Sequence, residues 1–370
     1  MNAAVDPVPV DVPVDGAAAV PGAPADPMTG RRVSMADVAH RAGVSTQTVS
    51  RVSNGYPGVV TATRDSVLAA MEELGYRPNS AARALKRGNF RTIGVLLFTL
   101  ATTGNMRTLE AIATSAARAG YAITLIPVQA HTQDEVHGAF TRLGELAVDA
   151  IVVVMEVHLL DSGTVRLPPG VPVVVVDSNA GEQYAVVDTD QANGARQAVE
   201  HLLDLGHRTV WHLAGPEESF AAGGRAAAWE ATLREHDREV PAVLRGDWSA
   251  HSGYVAGLRL ADEPTCTAVF SANDQMALGL LRAFHERGRR VPDDVSVVGF
   301  DDLPDTDAYT PPLTTVHQDF AEVGRRCVEL VVRQLGARRS LPGRTLVGSR
   351  LVVRQSTAPP RVVPDRSVDT

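Results

Sequence analysis

The sequence predicts a short all-α module followed by an α/β body of two doubly wound lobes facing each other across a cleft. Three observations carry this reading. Between Ser34 and Gly75 apolar residues recur at helical spacing in short runs, broken by glycine and proline. From Arg91 onward, continuous apolar runs alternate with amphipathic stretches. That alternation restarts near Thr209, which makes two successive α/β units of about 100–130 residues each. At 370 residues the chain is too long for one compact domain.

Residues 1–30 repeat Ala, Val, Pro, Gly and Asp without helical or strand period, and read as a disordered tail. In the helical module, 31–77, Ser34 can cap a helix with Asp37 three residues on, and that helix stops at Ala42-Gly43. Ser45 caps a second helix through about Val52. A loop at Asn54-Gly55-Tyr56-Pro57-Gly58 leads to a third, with Val67, Leu68, Met71 and Leu74 on one face and Gly75 at its C-cap. Pro78 breaks the chain, and Ser80 to Arg87 form a weak fourth helix within a connecting segment, 78–90. In the body, 91–357, Ile93–Leu97, Ala122–Ile126, Ala150–Val154 and Val171–Val176 have the unbroken apolar character of buried parallel strands. Thr209–Leu213, Ala268–Phe270 and Val295–Gly299 repeat the theme. Helices are expected near Met106–Ala119, Gln191–Leu205, Gly224–His236, His251–Leu260 and Asp274–Arg287. Residues 358–370 resemble the first tail.

Composition narrows the function. No run of 18 apolar residues occurs, so no transmembrane helix is expected, and the N-terminus lacks the basic and apolar regions of a secretory signal. Cys266 and Cys327 are the two cysteines, with no CxxC or HExxH pattern; they read as small buried hydrophobes in a reducing cytoplasm. No GxSxG, GxxxxGK[ST] or strand-linked GxGxxG occurs, so neither catalytic residues nor a cofactor or metal are expected. The net charge of −8 argues against a polyanionic partner until its distribution is examined. Residues 31–88 hold nine Arg and Lys against four Asp and Glu, whereas residues 1–30 hold four Asp and no cation. A basic module on an acidic body points to a nucleic acid.

The helix pair at 34–52 has the spacing of a helix-turn-helix: a small residue where the helices touch (Ala39), a glycine in the turn (Gly43) and a branched residue locking the second helix (Val49). Thr46, Gln47, Ser50 and Arg51 then occupy its outer surface. Arginine can pair bidentately with guanine, glutamine with adenine, and a threonine methyl can touch thymine. Spacing alone also fits an ordinary solvated helical hairpin.

The run Met35-Ala36-Asp37-Val38-Ala39 to Ala42-Gly43-Val44-Ser45-Thr46-Gln47-Thr48-Val49-Ser50-Arg51-Val52, with Asn54-Gly55, closely resembles the DNA-binding headpiece of lac repressor family regulators. So does Leu74-Gly75-Tyr76-Arg77-Pro78-Asn79 followed by Ala81-Ala82-Arg83-Ala84-Leu85-Lys86. The resemblance implies DNA contacts from Ser45, Thr46, Gln47, Ser50, Arg51, Asn54, Asn79, Ala81, Leu85 and Lys86. Leu85 matches the hinge-helix leucine that wedges into the minor groove, where unstacking a base step is offset by the contacts the bend allows. It continues to about residue 357, strongest at Gly246–Ala250, Ala272–Gly279 and Val298–Asp302 with Pro311–Thr315, and looks especially like β-galactoside-responsive repressors.

It implies a helix-turn-helix headpiece joined to a two-lobed α/β periplasmic-binding-protein-like (type I) effector domain. Arg225, Trp248, Asn273 and Asp301 fall at effector-contacting positions, with Asp177, Gln318 and Phe320 beside them. The chemistry is coherent by itself: carboxylate, guanidinium and amide groups bridge vicinal hydroxyls, and an indole covers the C–H face of a pyranose. Phe98-Thr99-Leu100 and Val154-Met155-Glu156 depart from the galactoside pattern and leave the sugar open. Residues 358–370 contain no leucine, so the leucine-heptad helix of tetrameric members is missing and a homodimer is expected. The implied function is a cytoplasmic, effector-controlled repressor that binds a pseudo-palindromic operator in double-stranded DNA and contacts no membrane. The effector is expected to be a sugar such as a galactoside. A purine-responsive regulator and a sugar-binding transport protein are the alternatives.

Overall fold

Serine caps start both helices of the helix-turn-helix. The computed structural model describes residues 33–77, 88–97, 99–128, 133–154, 170–176 and 184–361. In α1 (Met35–Ala42) the Ser34 side chain accepts from the Asp37 amide while the Asp37 carboxylate accepts from the Ser34 amide at 2.7 Å, a complete capping box. Gly43 ends it at φ +66°, a left-handed position that glycine takes without strain. Ser45 caps α2 (Thr46–Ser53), its hydroxyl accepting from the Thr48 amide at 3.1 Å. Together with α3 (Thr61–Glu73), these helices close over Val38, Ala39, Val49, Val52, Val67, Ala70 and Met71. Ala70 takes the inward place expected of Leu68, which is 50% exposed, because the turn of α3 carries residue 68 past the contact stripe.

The chain divides into two units between Gly88 and Asn89. In the second, the first sheet receives β1 (Thr92–Leu97), β2 (Ala122–Pro127), β3 (Ala150–Val154), β4 (Val173–Val176) and β5 (Ala185–Thr189), with helices α4 (Thr103–Arg118) and α5 (Gln133–Glu145). The second lobe holds α6 (Gln191–Asp204), β6 (Trp211–Ala214), α7 (Phe220–Glu235), β7 (Leu244–Arg245) and α8 (Ala250–Ala261). It continues with β8 (Ala268–Ser271), α9 (Asp274–Glu286), β9 (Ser296–Asp301), a 3-10 turn at Pro304–Asp307 and β10 (Thr314–Gln318). Then α10 (Phe320–Ala337) and β11 (Gly343–Val347) return to the first lobe, and β12 (Ser349–Val352) to the second. The first sheet runs β11-β5-β4-β3-β1-β2, all parallel; the second runs β12-β10-β9-β8-β6-β7, parallel except for β12.

Two successive self-contained units are therefore not what the chain makes. It crosses between lobes at 189–191, 318–320 and 347–349, so each lobe draws on distant sequence. Helix α10 supplies Val323, Cys327, Val328 and Val331 to the core between α4 and the first sheet. The five strands not expected from sequence, β5, β7, β10, β11 and β12, are short, or carry polar residues at sheet edges and ends. Helix α7 starts at Phe220, one turn before the expected Gly224, because Ser219 caps it by accepting from the Ala222 amide at 3.3 Å. Among the described residues no helix is long and apolar enough to cross a membrane.

Candidate functional site

The outer face of α2 presents Thr46, Gln47 and Arg51 to solvent, with Ser50 half-buried. The Arg51 guanidinium lies 5.6 Å from the centroid of the Tyr56 ring, which limits its freedom before any partner arrives. Asn54 donates from its amide to the Ser50 carbonyl at 2.8 Å, and the Ser45 hydroxyl is engaged in capping, so these two also fix the helix that carries the others. Asn79, Ala81, Leu85 and Lys86 lie outside the described residues.

In the second unit a cavity of about 500 Å³ opens between the lobes at the C-terminal ends of both sheets, where parallel α/β sheets place their ligands. Arg225, Trp248, Asn273, Asp301, Gln318 and Phe320 all line it; Asp177 lies outside the described residues. The first lobe contributes Thr99, Asn105, Thr108 and Val154.

Arg225, on the second turn of α7, is 4% exposed. Its Nε donates to Gln191 Oε1 at 2.8 Å and its Nη1 donates to the Ala272 carbonyl. The same Nη1 stands 3.8 Å from Asp301 Oδ1, and the guanidinium sits over Phe300, 3.8 Å from the ring centroid, with Trp248 beyond at 5.7 Å. Asp301 Oδ1 accepts from Gln318 Nε2 at 2.6 Å. Buried charge is thus paired and hydrogen-bonded, as the low dielectric demands.

The backbone is strained here. Trp248, Asp301 and Asp302 have φ of +72°, +120° and +55°, conformations that side-chain-bearing residues hold only when their surroundings enforce them. Asn273 enforces one, donating from Nδ2 to the Trp248 carbonyl at 3.0 Å while its Oδ1 caps α9 through the Met276 amide at 2.9 Å. Gly215 makes room for the indole, since a methyl group there would stand 2.8 Å from Trp248 Cε2 and closer to two other ring atoms. Asp302 is held by His317 Nδ1 at 2.9 Å and by Arg354 Nη2 at 2.6 Å, and fully buried Asp274 anchors the next residue, accepting from the Leu303 amide at 2.9 Å and from Thr315 Oγ1 at 2.5 Å. Burial, reinforced by the negative charge of Asp301, raises the Asp274 carboxyl well above the usual carboxylate range.

Asp247, also at the cavity, is held below that range by hydrogen bonds from the Ser249 hydroxyl and amide. Among the described lining residues the cavity thus carries three carboxylates, Glu218, Asp247 and Asp301, and one guanidinium, Arg225. His212 lies beneath the floor, stacked between Trp229 and Phe270 with Nδ1 donating to the Phe270 carbonyl at 2.9 Å; burial lowers its pKa to about 4. The sequence reading missed Thr99, Asn105, Thr108, Phe220 and Asp247. Their position after strand ends is the one signal that would have found them.

Residues 34–79 match the family described as bacterial regulatory proteins, lacI family, and residues 199–357 match the periplasmic binding protein-like domain. The lactose operon repressor of Escherichia coli (strain K12) is 36% identical over 330 residues, spanning 89% of this chain and 91% of that protein. The HTH-type transcriptional repressor PurR of Haemophilus influenzae (strain PittEE) is 32% identical over 303 residues, spanning 81% of this chain and 90% of that protein. Among solved structures, a lac repressor dimer bound to operator and the anti-inducer ONPF matches with a TM-score of 0.80 at 34% identity, covering 89% of this chain and all 100% of that one. A complex of the transcriptional regulator CelR with cellobiose matches at 0.65 and 30% identity, covering 88% and 100%.

Proposed function

The chain belongs to the lacI family of bacterial regulatory proteins, and from that premise we propose that it is a transcriptional repressor whose grip on operator DNA is controlled by a neutral sugar. The observation that carries the sugar is the cleft's electrostatics: among its described lining residues are three carboxylates and one guanidinium, and that guanidinium is already committed to Gln191, Ala272 and Asp301. A phosphate or carboxylate ligand would meet repulsion there, whereas vicinal hydroxyls find acceptors at Asp301 and Asp247 and an apolar face at Trp248. The lac repressor and CelR, both similar to this chain, are recorded with ONPF and cellobiose respectively.

Two chains related by a two-fold axis would present α2 to successive major grooves, which requires a pseudo-palindromic operator. Thr46, Gln47 and Arg51 would read bases; Ser45, Ser50 and Asn54 would support them; Asn79, Ala81 and Lys86 would meet the backbone while Leu85 wedges a central step. The work is that of a cytoplasmic regulator and not of a catalyst. Release follows if the sugar binds the DNA-free state more tightly, since equal affinity for both states shifts nothing.

A purine effector is the second reading, favoured by the PurR similarity and by the Trp248 ring, which can stack a base. Titration calorimetry against lactose, cellobiose, melibiose, hypoxanthine and guanine separates the two. Heat from one of the sugars and none from the purines is expected. Binding of hypoxanthine or guanine without any sugar overturns the sugar assignment.

A further inference from the structure

The lobe crossings are bonded to one another and to the cleft through a residue that does not line it. At the first crossing the Asp190 amide donates to the Val347 carbonyl at 2.8 Å, and Ser349 Oγ donates to the Asp190 carbonyl at 2.9 Å, which ties the first crossing to the third. Gln191, the next residue and 5% exposed, reaches in two directions. Its Oε1 accepts from Arg225 Nε at 2.8 Å, and its Nε2 donates over 3.5 Å to Oε1 of Gln318, which ends β10 at the second crossing. Gln318 in turn donates to Asp301 at 2.6 Å. Gln191 thus closes a ring, Arg225–Gln191–Gln318–Asp301, whose two charged members face the cavity and whose two amides stand on the crossing segments.

We propose that Gln191 is a positioning residue that couples effector occupancy at the Arg225–Asp301 pair to the lobe crossings. The proposal rests on the cleft being the effector site. A ligand that draws Arg225 toward itself pulls on the amide that bears on two crossings. Because a packed interior is nearly incompressible, a shift of a few tenths of an ångström there must be taken up where the chain can rotate, at the crossings themselves. Coupling of this kind is reciprocal, so cutting the ring lowers the effect of effector on operator affinity beyond any loss of effector binding.

The test uses the full chain and two substitutions. Gln191→Ala removes both links; Gln191→Glu keeps an acceptor for Arg225 Nε and removes the donor to Gln318. In unliganded protein, hydrogen exchange followed by mass spectrometry is expected to speed up at least about fivefold in peptides covering 318–320 and 347–349 for both variants, with β8 unchanged. With lactose and with cellobiose as probes, Gln191→Glu is expected to shift the sugar concentration for half-release from operator at least about fivefold more than it shifts the calorimetric Kd. Unchanged exchange at the crossings, or equal shifts of half-release and Kd in Gln191→Glu, overturns the proposal. If neither sugar binds the wild-type chain, the sugar reading fails, and the exchange experiment still decides the role of Gln191.

Discussion

Replacing Asp274 by asparagine should make the second lobe more stable at neutral pH. The carboxyl is fully buried with two partners, the Leu303 amide and the Thr315 hydroxyl. Protonated, the carboxyl serves both: its carbonyl oxygen accepts from Leu303, and the Thr315 hydroxyl, the donor to the ionised carboxylate, rotates to accept from the carboxyl O–H. Asparagine reproduces this arrangement with its oxygen and its NH2 group, at the same volume. The folded carboxyl has its pKa raised above the ordinary 3.8 by burial first and by Asp301 second. Below pH 3.8 both folded and unfolded chains hold the proton and nothing is lost. As pH rises above that value the unfolded chain ionises while the folded chain does not, so wild-type stability falls at up to about 1.4 kcal/mol per pH unit until the folded group ionises too. Asparagine has no such loss. The difference should therefore grow in favour of Asp274→Asn as pH rises above 3.8, and level off only once the folded carboxyl ionises. Asp274→Ala instead leaves the Leu303 amide and the Thr315 hydroxyl without their buried partner and should cost about 2–6 kcal/mol. All three tryptophans, Trp211, Trp229 and Trp248, belong to the second lobe, so urea denaturation followed by their fluorescence reports on it alone. Taking variant minus wild type cancels half-buried His201 and buried His207 and His212, whose burial lowers their pKa values and makes the fold lose stability as pH falls below 6.5. A difference that is flat with pH, or an asparagine variant less stable than wild type at pH 7, would refute the reasoning.

Further expectations concern DNA and the indole. Arg51→Ala should weaken operator binding by about 1–3 kcal/mol per half-site, concentrated at one guanine, measured by anisotropy across single-base operator variants; equal loss on every sequence would make Arg51 a phosphate contact. If each headpiece neutralises about four phosphates, the log–log salt dependence of a dimer should have a slope near −7, and a slope shallower than about −2 would contradict the DNA assignment. Gly215→Ala should push the indole of Trp248 off its seat and lower sugar affinity at least about tenfold, at a folding cost of about 1–3 kcal/mol; calorimetry and thermal melting check the two halves separately.

Sequence and structure agree best where the determinants are local. The Ser34–Asp37 capping box, the left-handed Gly43 and buried Val49 lie within sixteen residues of one another, and each can be read from its neighbours. Arg225, Trp248, Asn273, Asp301, Gln318 and Phe320 gather from α7, the β7–α8 loop, the β8–α9 junction and the ends of β9, β10 and α10. Resemblance to a known pattern named them as a group; spacing alone could not. Gln191 and Asp274 escaped notice because neither residue type is unusual at a helix start. Their importance comes from Arg225 and the Leu303 amide, which sit more than 25 positions away in sequence. The path of α10 and β11 was illegible for a related reason: an amphipathic helix shows which face is apolar, not which lobe will cover it.

The threefold crossing also governs how the protein is made. The first sheet takes its edge strand from residues 343–347, and the core behind it takes four side chains from α10, more than 140 positions after β4. A ribosome working from the N-terminus has therefore synthesised the whole second lobe except β12 and the segment after it, which carries buried Ser356, before the first can be finished. Until then the apolar surface that Val323, Val328 and Val331 will cover remains open. Such late closure makes the nascent first lobe a client for chaperones and a nucleus for misassembly when translation stops early. It also means that a chain cut after residue 318 retains nearly all of its second lobe but leaves its first lobe without the covering helix and edge strand. Loss of the final fifty residues should then be felt first at the opposite end of the molecule's linear map.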